Sequence, residues 1–182
     1  MKIYFESVVL RPWNLKDAER LALIANNKNI ADNLRDGFPF PYSLKDAHNW
    51  LNSIIPENNP PRFFAILFDD TIVGSIGIAT KTDIYRKNVE IGYFLDENYW
   101  GNGIVTKAVK AATAYSFSAF DIVRVYAEPF ADNPGSRKVL EKAGFKCDAV
   151  FKNYVIKNGI IKDSCIYSVL KEEFKYKLPS TD

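Results

Sequence analysis

Two glycines, Gly101 and Gly103, stand where one apolar run ends and another begins, within VEIGYFLDENYWGNGIVTKAV, Val89–Val109. The first half of this segment reads as a strand and the second half as a helix, so the glycines fall in the turn between them. Glycine permits positive φ and close approach of another group to the backbone. The first N–H groups of the helix, around Gly103, Ile104, Val105 and Thr106, have no partner inside it. Together with the helix dipole they form an anion site suited to a pyrophosphate. An ordinary turn and helix start is the alternative that Trp-Gly-Asn-Gly alone leaves open. The segment is not a Walker A loop, because the GK[ST] ending is absent, and it is not GxGxxG, because position 106 is threonine. A second polar group lies in ADNPGSRKVLEKAGF, Ala131–Phe145, where Asn133 and Ser136 open a short helix that Gly144 closes.

Other chemistries find few residues. His48 is the only histidine, and it lies in a polar helical stretch, KDAHNW, as a surface histidine does. A zinc site calls for three or four closely spaced ligands, and a Ser-His-Asp or Cys-His engine would rest on His48 alone. No metal site is expected. Cys147 and Cys165 are the only cysteines, and both read as buried thiols rather than a bridge.

The elements that must carry these residues are legible. Lys2–Arg11 is β-rich and stops at Pro12. Asn14 with Asp17, and Ser43 with Asp46, mark two helix starts of the capping-box type. A hairpin is expected over Phe63–Ala79, turning at Asp69-Asp70, followed by the strand Asn88–Leu95 and the helix after Gly103. The strand Ile122–Glu128 leads to the helix Asn133–Ala143, and a last hairpin turns at Asn158-Gly159. Pro56–Pro61 reads as a rigid loop. The order β-α-α-β-β-β-α-β-α-β-β implies an α/β (α+β) fold with a mixed, mostly antiparallel sheet of about seven strands flanked by helices. The chain has 182 residues, enough for one domain spanning 1–182. A balance of 24 Lys+Arg against 22 Asp+Glu carries no nucleic-acid or membrane-surface footprint. No apolar run reaches membrane-span length, and no secretory signal opens the chain, so a cytoplasmic location is expected.

The two polar segments, in this order and separation, resemble the GNAT superfamily of acetyl-CoA-dependent N-acetyltransferases, and most of all its ribosomal-protein N-terminal acetyltransferase branch. The opening VVLRPWNLKDAERL is similar to that branch's first strand and helix, and DSCIYSVLKEEF to its last strand. The likeness covers nearly the whole chain. It implies acetyl-CoA as cosubstrate. The superfamily's pyrophosphate signature, Gln/Arg-x-x-Gly-x-Gly/Ala, falls on Trp100, Gly101, Asn102, Gly103, Ile104 and Val105. Trp100 replaces Gln/Arg and Val105 replaces the small final residue. Lys107, where the branch often has glutamate, faces either a cofactor phosphate or solvent. By the same resemblance, the pantetheine arm pairs with the strand at Tyr93, Phe94 and Leu95. Asn133 touches that arm, and Ser136 approaches the cofactor sulfur.

Acetyl transfer to nitrogen needs a neutral amine. With a pKa of about 10.4, a lysine amine costs about 4.6 kcal/mol to deprotonate at pH 7, whereas an α-amine at about 7.7–8.0 costs about 1.0–1.4. One carboxylate acting through water suffices for the α-amine. Glu90, on the strand entering the turn, is the candidate base; a structural strand carboxylate is the competing reading. A backbone N–H near Leu95 is the candidate donor to the oxyanion. Ser136 is the candidate donor to the leaving thiolate, with Tyr126 and Tyr167 behind it. Phe38, Phe40, Tyr42 and Trp100 are expected to wall an acceptor cleft, with Asp83–Lys87 and Lys157–Lys162 beside it. The expected acceptor is a protein N-terminal α-amine. A small amine, a polyamine or an aminoglycoside, or a CoA-binding module without turnover, is the alternative. The expected state is a monomer or homodimer.

Overall fold

A computed structural model describes residues 1–56 and 59–178. The strands are β1 (Ile3–Phe5), β2 (Val8–Pro12), β3 (Phe63–Phe68), β4 (Thr71–Thr80), β5 (Asn88–Leu95), β6 (Arg124–Ala127), β7 (Lys146–Lys157) and β8 (Ile160–Leu170). The helices are α1 (Ala18–Ala25), α2 (Lys28–Ala31), α3 (Leu44–Ile54), α4 (Ile104–Ala119) and α5 (Pro134–Lys142). They flank one sheet of order β1-β2-β3-β4-β5-β6-β8-β7, antiparallel everywhere except between β5 and β6.

The fold class is the expected one, with eight strands instead of seven. The opening β-rich segment is two strands, because the chain turns back at Glu6, whose φ is 53°, and pairs Phe5 with Val8. Helix α2 lies between the two helices expected from the capping boxes and has no counterpart in the expected order. It is four residues long, too short to show a helical period, and Asn27 starts it by accepting from the N–H groups of Asn29 and Ile30. Both capping boxes are present, Asn14 with Asp17 and Ser43 with Asp46. At both hairpin turns the two central residues have positive φ: Asp69 and Asp70, then Asn158 and Gly159. Of the expected loop Pro56–Pro61, residues 57 and 58 lie outside the described residues.

The two faces of the sheet carry separate apolar layers. One layer joins β-strand residues such as Phe64, Ile76, Val89 and Ile91 to α4 and α5. The other joins Trp13, Leu21, Ile24, Leu51 and Ala65 beneath α1 and α3. The abundant aromatics cement both layers edge to face, as in Trp13–Trp50–Phe63 and Phe64–Tyr115.

At the edge of the site β4 is irregular. Ile72 pairs with Leu67 and Gly74 with Ile66, so Val73 is an extra residue, a bulge that bends β4 where β5 ends. Gly74 lies so close to β5 that an added Cβ would sit 2.4 Å from the Phe94 carbonyl oxygen. That oxygen is backbone and cannot swing aside. Gly74→Ala is therefore expected to lower unfolding stability by about 1–3 kcal/mol, read from urea denaturation.

Candidate active site

The site begins with a strand that loses a neighbour. β5 pairs with β4 along its whole length, from Val89 to Leu95. On its other side it pairs with β6 only at Asn88, Val89 and Glu90. Beyond Tyr126, β6 veers toward β8, where Cys165 N–H donates to Pro129 O and Phe130 bridges Ser164. A wedge opens between Ile91–Leu95 and the segment 127–130. The ladder sets which peptide groups face it. Asp96 N–H donates to Val73 O at 2.7 Å, and Val123 N–H donates to Lys87 O at 2.9 Å. Peptide direction alternates along a strand, so Ile91, Tyr93 and Leu95 turn their N–H and C=O toward the wedge.

The wedge leads into the glycine turn. Gly101 and Gly103 have φ of 81° and 73°, the left-handed region where glycine carries no penalty. The Trp100 indole donates to Leu95 O at 2.9 Å, and Asn102 Nδ2 donates to Tyr99 O and Trp100 O, so the turn is tied to the end of β5. Gly103 is the N-cap of α4, where no side chain caps the helix and the first turn holds no acid. The first bond inside the helix runs from Lys107 N–H to Gly103 O. The N–H groups of Ile104, Val105 and Thr106 therefore begin a sixteen-residue dipole with no side chain over them. Val105 departs from the small residue of the signature, yet its side chain packs in the core. Lys107 Nζ donates to Ser7 Oγ at 2.9 Å and pairs with Glu6 at 3.3 Å, in the β1–β2 turn.

A cleft of about 1470 Å³ runs through the wedge and reaches both faces of the sheet. Its lining includes Gly101, Gly103, Ile104, Val105 and Thr106, the strand from Glu90 to Leu95, and Asn133 and Ser136. The structure thus brings together almost every candidate site residue; Asn102 stays behind as the brace of the turn. Phe38 and Tyr42 line the cleft with Trp100, and Phe38 stacks on Tyr42 and meets Phe94 edge-on. Phe40 is exposed and not part of the wall. The turn 83–87 is also absent from it, and the last hairpin contributes Val155, Ile156 and Lys157, so that of the expected range 157–162 Lys157 alone reaches the wall. Cys165 is buried as expected, but Cys147 is exposed, because β7 is an edge strand with no layer over it there. Both thiols are free.

Glu90 and Phe94 face the α1–α3 side, while Tyr93 and Leu95 face α4 and α5. The Glu90 side chain is 12% exposed and lies between two cations, Lys81 at 2.7 Å and Arg35. Arg35 also reaches Glu128 at 3.4 Å. Burial disfavours the Lys81 ammonium, but its hydrogen bonds to Glu90 and Tyr126 outweigh that, and its pKa is raised. Tyr126 is raised by burial, with Lys81 working against the shift. The Arg35 link spans 55 positions to Glu90, and no local pattern in the sequence marks it. On the opposite face the Tyr93 hydroxyl lies 2.9 Å from Ser136 Oγ and 3.3 Å from Ser136 O. Burial pushes the Tyr93 phenol well above its ordinary pKa, so it is a neutral donor. Ser136 N–H donates to Asn133 Oδ1 at 3.0 Å, which makes Asn133 the N-cap of α5. Tyr167 is held by Arg137 and Glu141, outside the cleft. Among the described residues, no three His, Cys, Asp or Glu side chains are grouped to hold a metal ion, and no helix is long and apolar enough to cross a membrane.

An acetyltransferase (GNAT) domain family matches residues 7–146, most of the chain and all of the wedge and turn. The protein belongs to the GNAT acetyltransferase family. The chain is similar to the ribosomal-protein-serine acetyltransferase of Escherichia coli (strain K12), at 26% identity, with 80% of this chain and 82% of that protein covered. It is also similar to the spermidine N(1)-acetyltransferase of the same strain, at 21% identity, covering 95% and 92%. Its fold matches Mycobacterium smegmatis RimJ, solved with CoA-disulfide, with a TM-score of 0.83 at 23% identity, covering 97% and 89%. This GNAT acetyltransferase is thus an acyltransferase, built on an eight-stranded sheet that opens at β5. In it, Asn133 has a structural duty separable from any contact with a ligand. Asn133→Ala is expected to lower stability by about 1 kcal/mol through loss of the cap, seen as a fall of about 2–4 °C in Tm.

Proposed function

We propose that the whole chain acts as one unit that moves an acetyl group from acetyl-CoA to the α-amine of a protein N-terminus. The observation that carries this reading is the continuity of the cleft. One opening joins uncapped helix N–H groups, an unpaired strand edge and a carboxylate on the opposite face. Each part suits a different portion of the two substrates. The N–H groups of Ile104, Val105 and Thr106, with the Gly101–Gly103 turn, hold the pyrophosphate. The edge of β5 from Tyr93 through Phe94 to Leu95 offers peptide groups to the amides of the pantetheine arm, with Asn133 beside it and Trp100 bracing the turn. Bound acetyl-CoA supplies an acetyl thioester.

The residues then divide the work. Leu95 N–H faces the wedge and donates to the negative charge that develops on the acetyl oxygen. Ser136 Oγ donates to the departing sulfur, whose parent thiol has a pKa of about 8.5 and needs only mild help. Glu90 takes the proton of the attacking amine through a water. Its oxygens accept from Arg35 and Lys81, and each keeps a lone pair for that water. Phe38, Tyr42 and Trp100 give the acceptor an aromatic wall.

The α-amine is preferred because it costs about 1.0–1.4 kcal/mol to deprotonate at pH 7, against about 4.6 for a lysine-type amine. A polyamine is the second reading, supported by the spermidine acetyltransferase among the relatives. Mass spectrometry of a peptide and small-amine library incubated with acetyl-CoA decides between them. Acetylated peptide N-termini are expected. Acetylated spermidine alone would favour the second reading, and acetyl-CoA binding without any product would favour a binding module. Glu90→Gln is expected to lower kcat/KM for the amine by about 10²-fold and to flatten its rise between pH 6 and 9. An unchanged pH–rate profile removes Glu90 from the mechanism.

A further inference from the structure

We propose that Tyr93 is a positioning residue that aims the Ser136 hydroxyl at the sulfur leaving during acetyl transfer. The proposal rests on the acetyl-CoA reading above. It starts from a count of donors. The Tyr93 hydroxyl has one proton and two nearby acceptors, Ser136 Oγ at 2.9 Å and Ser136 O at 3.3 Å. Ser136 Oγ also has one proton, and among the described residues its sole protein partner is Tyr93. Two arrangements exist. When Tyr93 donates to the carbonyl oxygen, Ser136 spends its proton on Tyr93. When Tyr93 donates to Oγ, the Ser136 proton is free to point into the cleft that Ser136 lines. Both arrangements keep the 2.9 Å contact between the two hydroxyls, and only in the second is Tyr93 its donor.

The surroundings hold this pair in place. Asn133 Oδ1 takes the Ser136 N–H, which anchors Ser136 in the first turn of α5. Tyr93 packs against the apolar layer, which holds its ring and keeps its phenol protonated. A donor that stays neutral can point at Oγ and cannot be lost to solvent over the working pH range. Charge that builds on sulfur then selects the arrangement in which both hydroxyls point toward it, each bond strengthening the next. In the transfer itself, the amine nitrogen bonds the acetyl carbon and the carbon–sulfur bond breaks. The electron pair leaves on sulfur, and the amine proton leaves by the water at Glu90. Tyr93 and Ser136 keep their protons and supply hydrogen bonds.

The test reads the thiol of bound CoA, without turnover. Thiolate absorbance is followed against pH for CoA bound to the wild type, Tyr93→Phe, Ser136→Ala and the double variant. The wild type is expected to hold the bound thiol about half a unit to one unit below Tyr93→Phe and Ser136→Ala. The double variant is expected to match Ser136→Ala, because the two hydroxyls act in series. In turnover, Tyr93→Phe is expected to lower kcat about three- to tenfold with the Kd for acetyl-CoA unchanged. A merely structural hydroxyl would not move the thiol pKa. If Tyr93→Phe binds CoA with the wild-type thiol pKa, or if the two substitutions add, the proposal is overturned. Should Tyr93→Phe not fold, Ser136→Ala carries the test, and a wild-type thiol pKa in that variant overturns it equally. Failure of the wild type to bind CoA in calorimetry would instead overturn the acetyl-CoA reading on which the proposal stands.

Discussion

Along β5 the backbone is satisfied on one side over its whole length and on the other over only Asn88, Val89 and Glu90. Everything in the candidate site depends on that one-sided pairing. A strand interior with unpaired peptide groups is costly unless another chain or a ligand meets it. Here the departure of β6 is enforced by β8, which takes up Pro129 and Phe130 and pulls them from β5. The bulge at Val73 and the close approach at Gly74 bend the other neighbour, β4, opposite Leu95, at the far end of the opening. The result is a cleft through the sheet, which ordinary antiparallel pairing would have closed.

Because the cleft is through the sheet, strand alternation assigns its chemistry to faces. Successive side chains of β5 point to opposite sides. Glu90 therefore meets Arg35 and Lys81, and Arg35 reaches on to Glu128, while Tyr93 meets Ser136 at the start of α5. In the proposed reaction, the proton taken at one face and the hydrogen bond given at the other are separated by a single strand. The proposed phosphate site needs no cluster of cationic side chains, since the start of α4 presents backbone N–H groups. That agrees with a chain carrying 24 basic and 22 acidic residues.

The cations around Glu90 bear on the base role proposed for it. Arg35 is exposed along most of its side chain, at 70%, so its pairing with Glu90 is the sort that solvent weakens and a bound acceptor can displace. Lys81 is more enclosed and its raised pKa keeps it charged beside the carboxylate. Glu90 is thus held in place by one cation from the end of β4 and one from the loop after α2.

The sequence by itself determined the local elements and the turn: capping boxes at Asn14 and Ser43, hairpin turns at Asp69-Asp70 and Asn158-Gly159, the glycines at 101 and 103, and the helix opened by Asn133. These are written in neighbouring residues, because caps and turns are closed by bonds reaching two to four positions along the chain. Their order also carried the resemblance to the GNAT family. What tertiary structure decided was which distant groups meet. Arg35 reaches Glu90 across 55 positions, Tyr93 reaches Ser136 across 43, and Lys107 turns to Ser7 across 100. It also decided that Cys147 is exposed and that the opening strand is two strands. No periodicity encodes such pairings, because they arise from strand order and from where β6 leaves β5, and those are set by packing of the whole sheet.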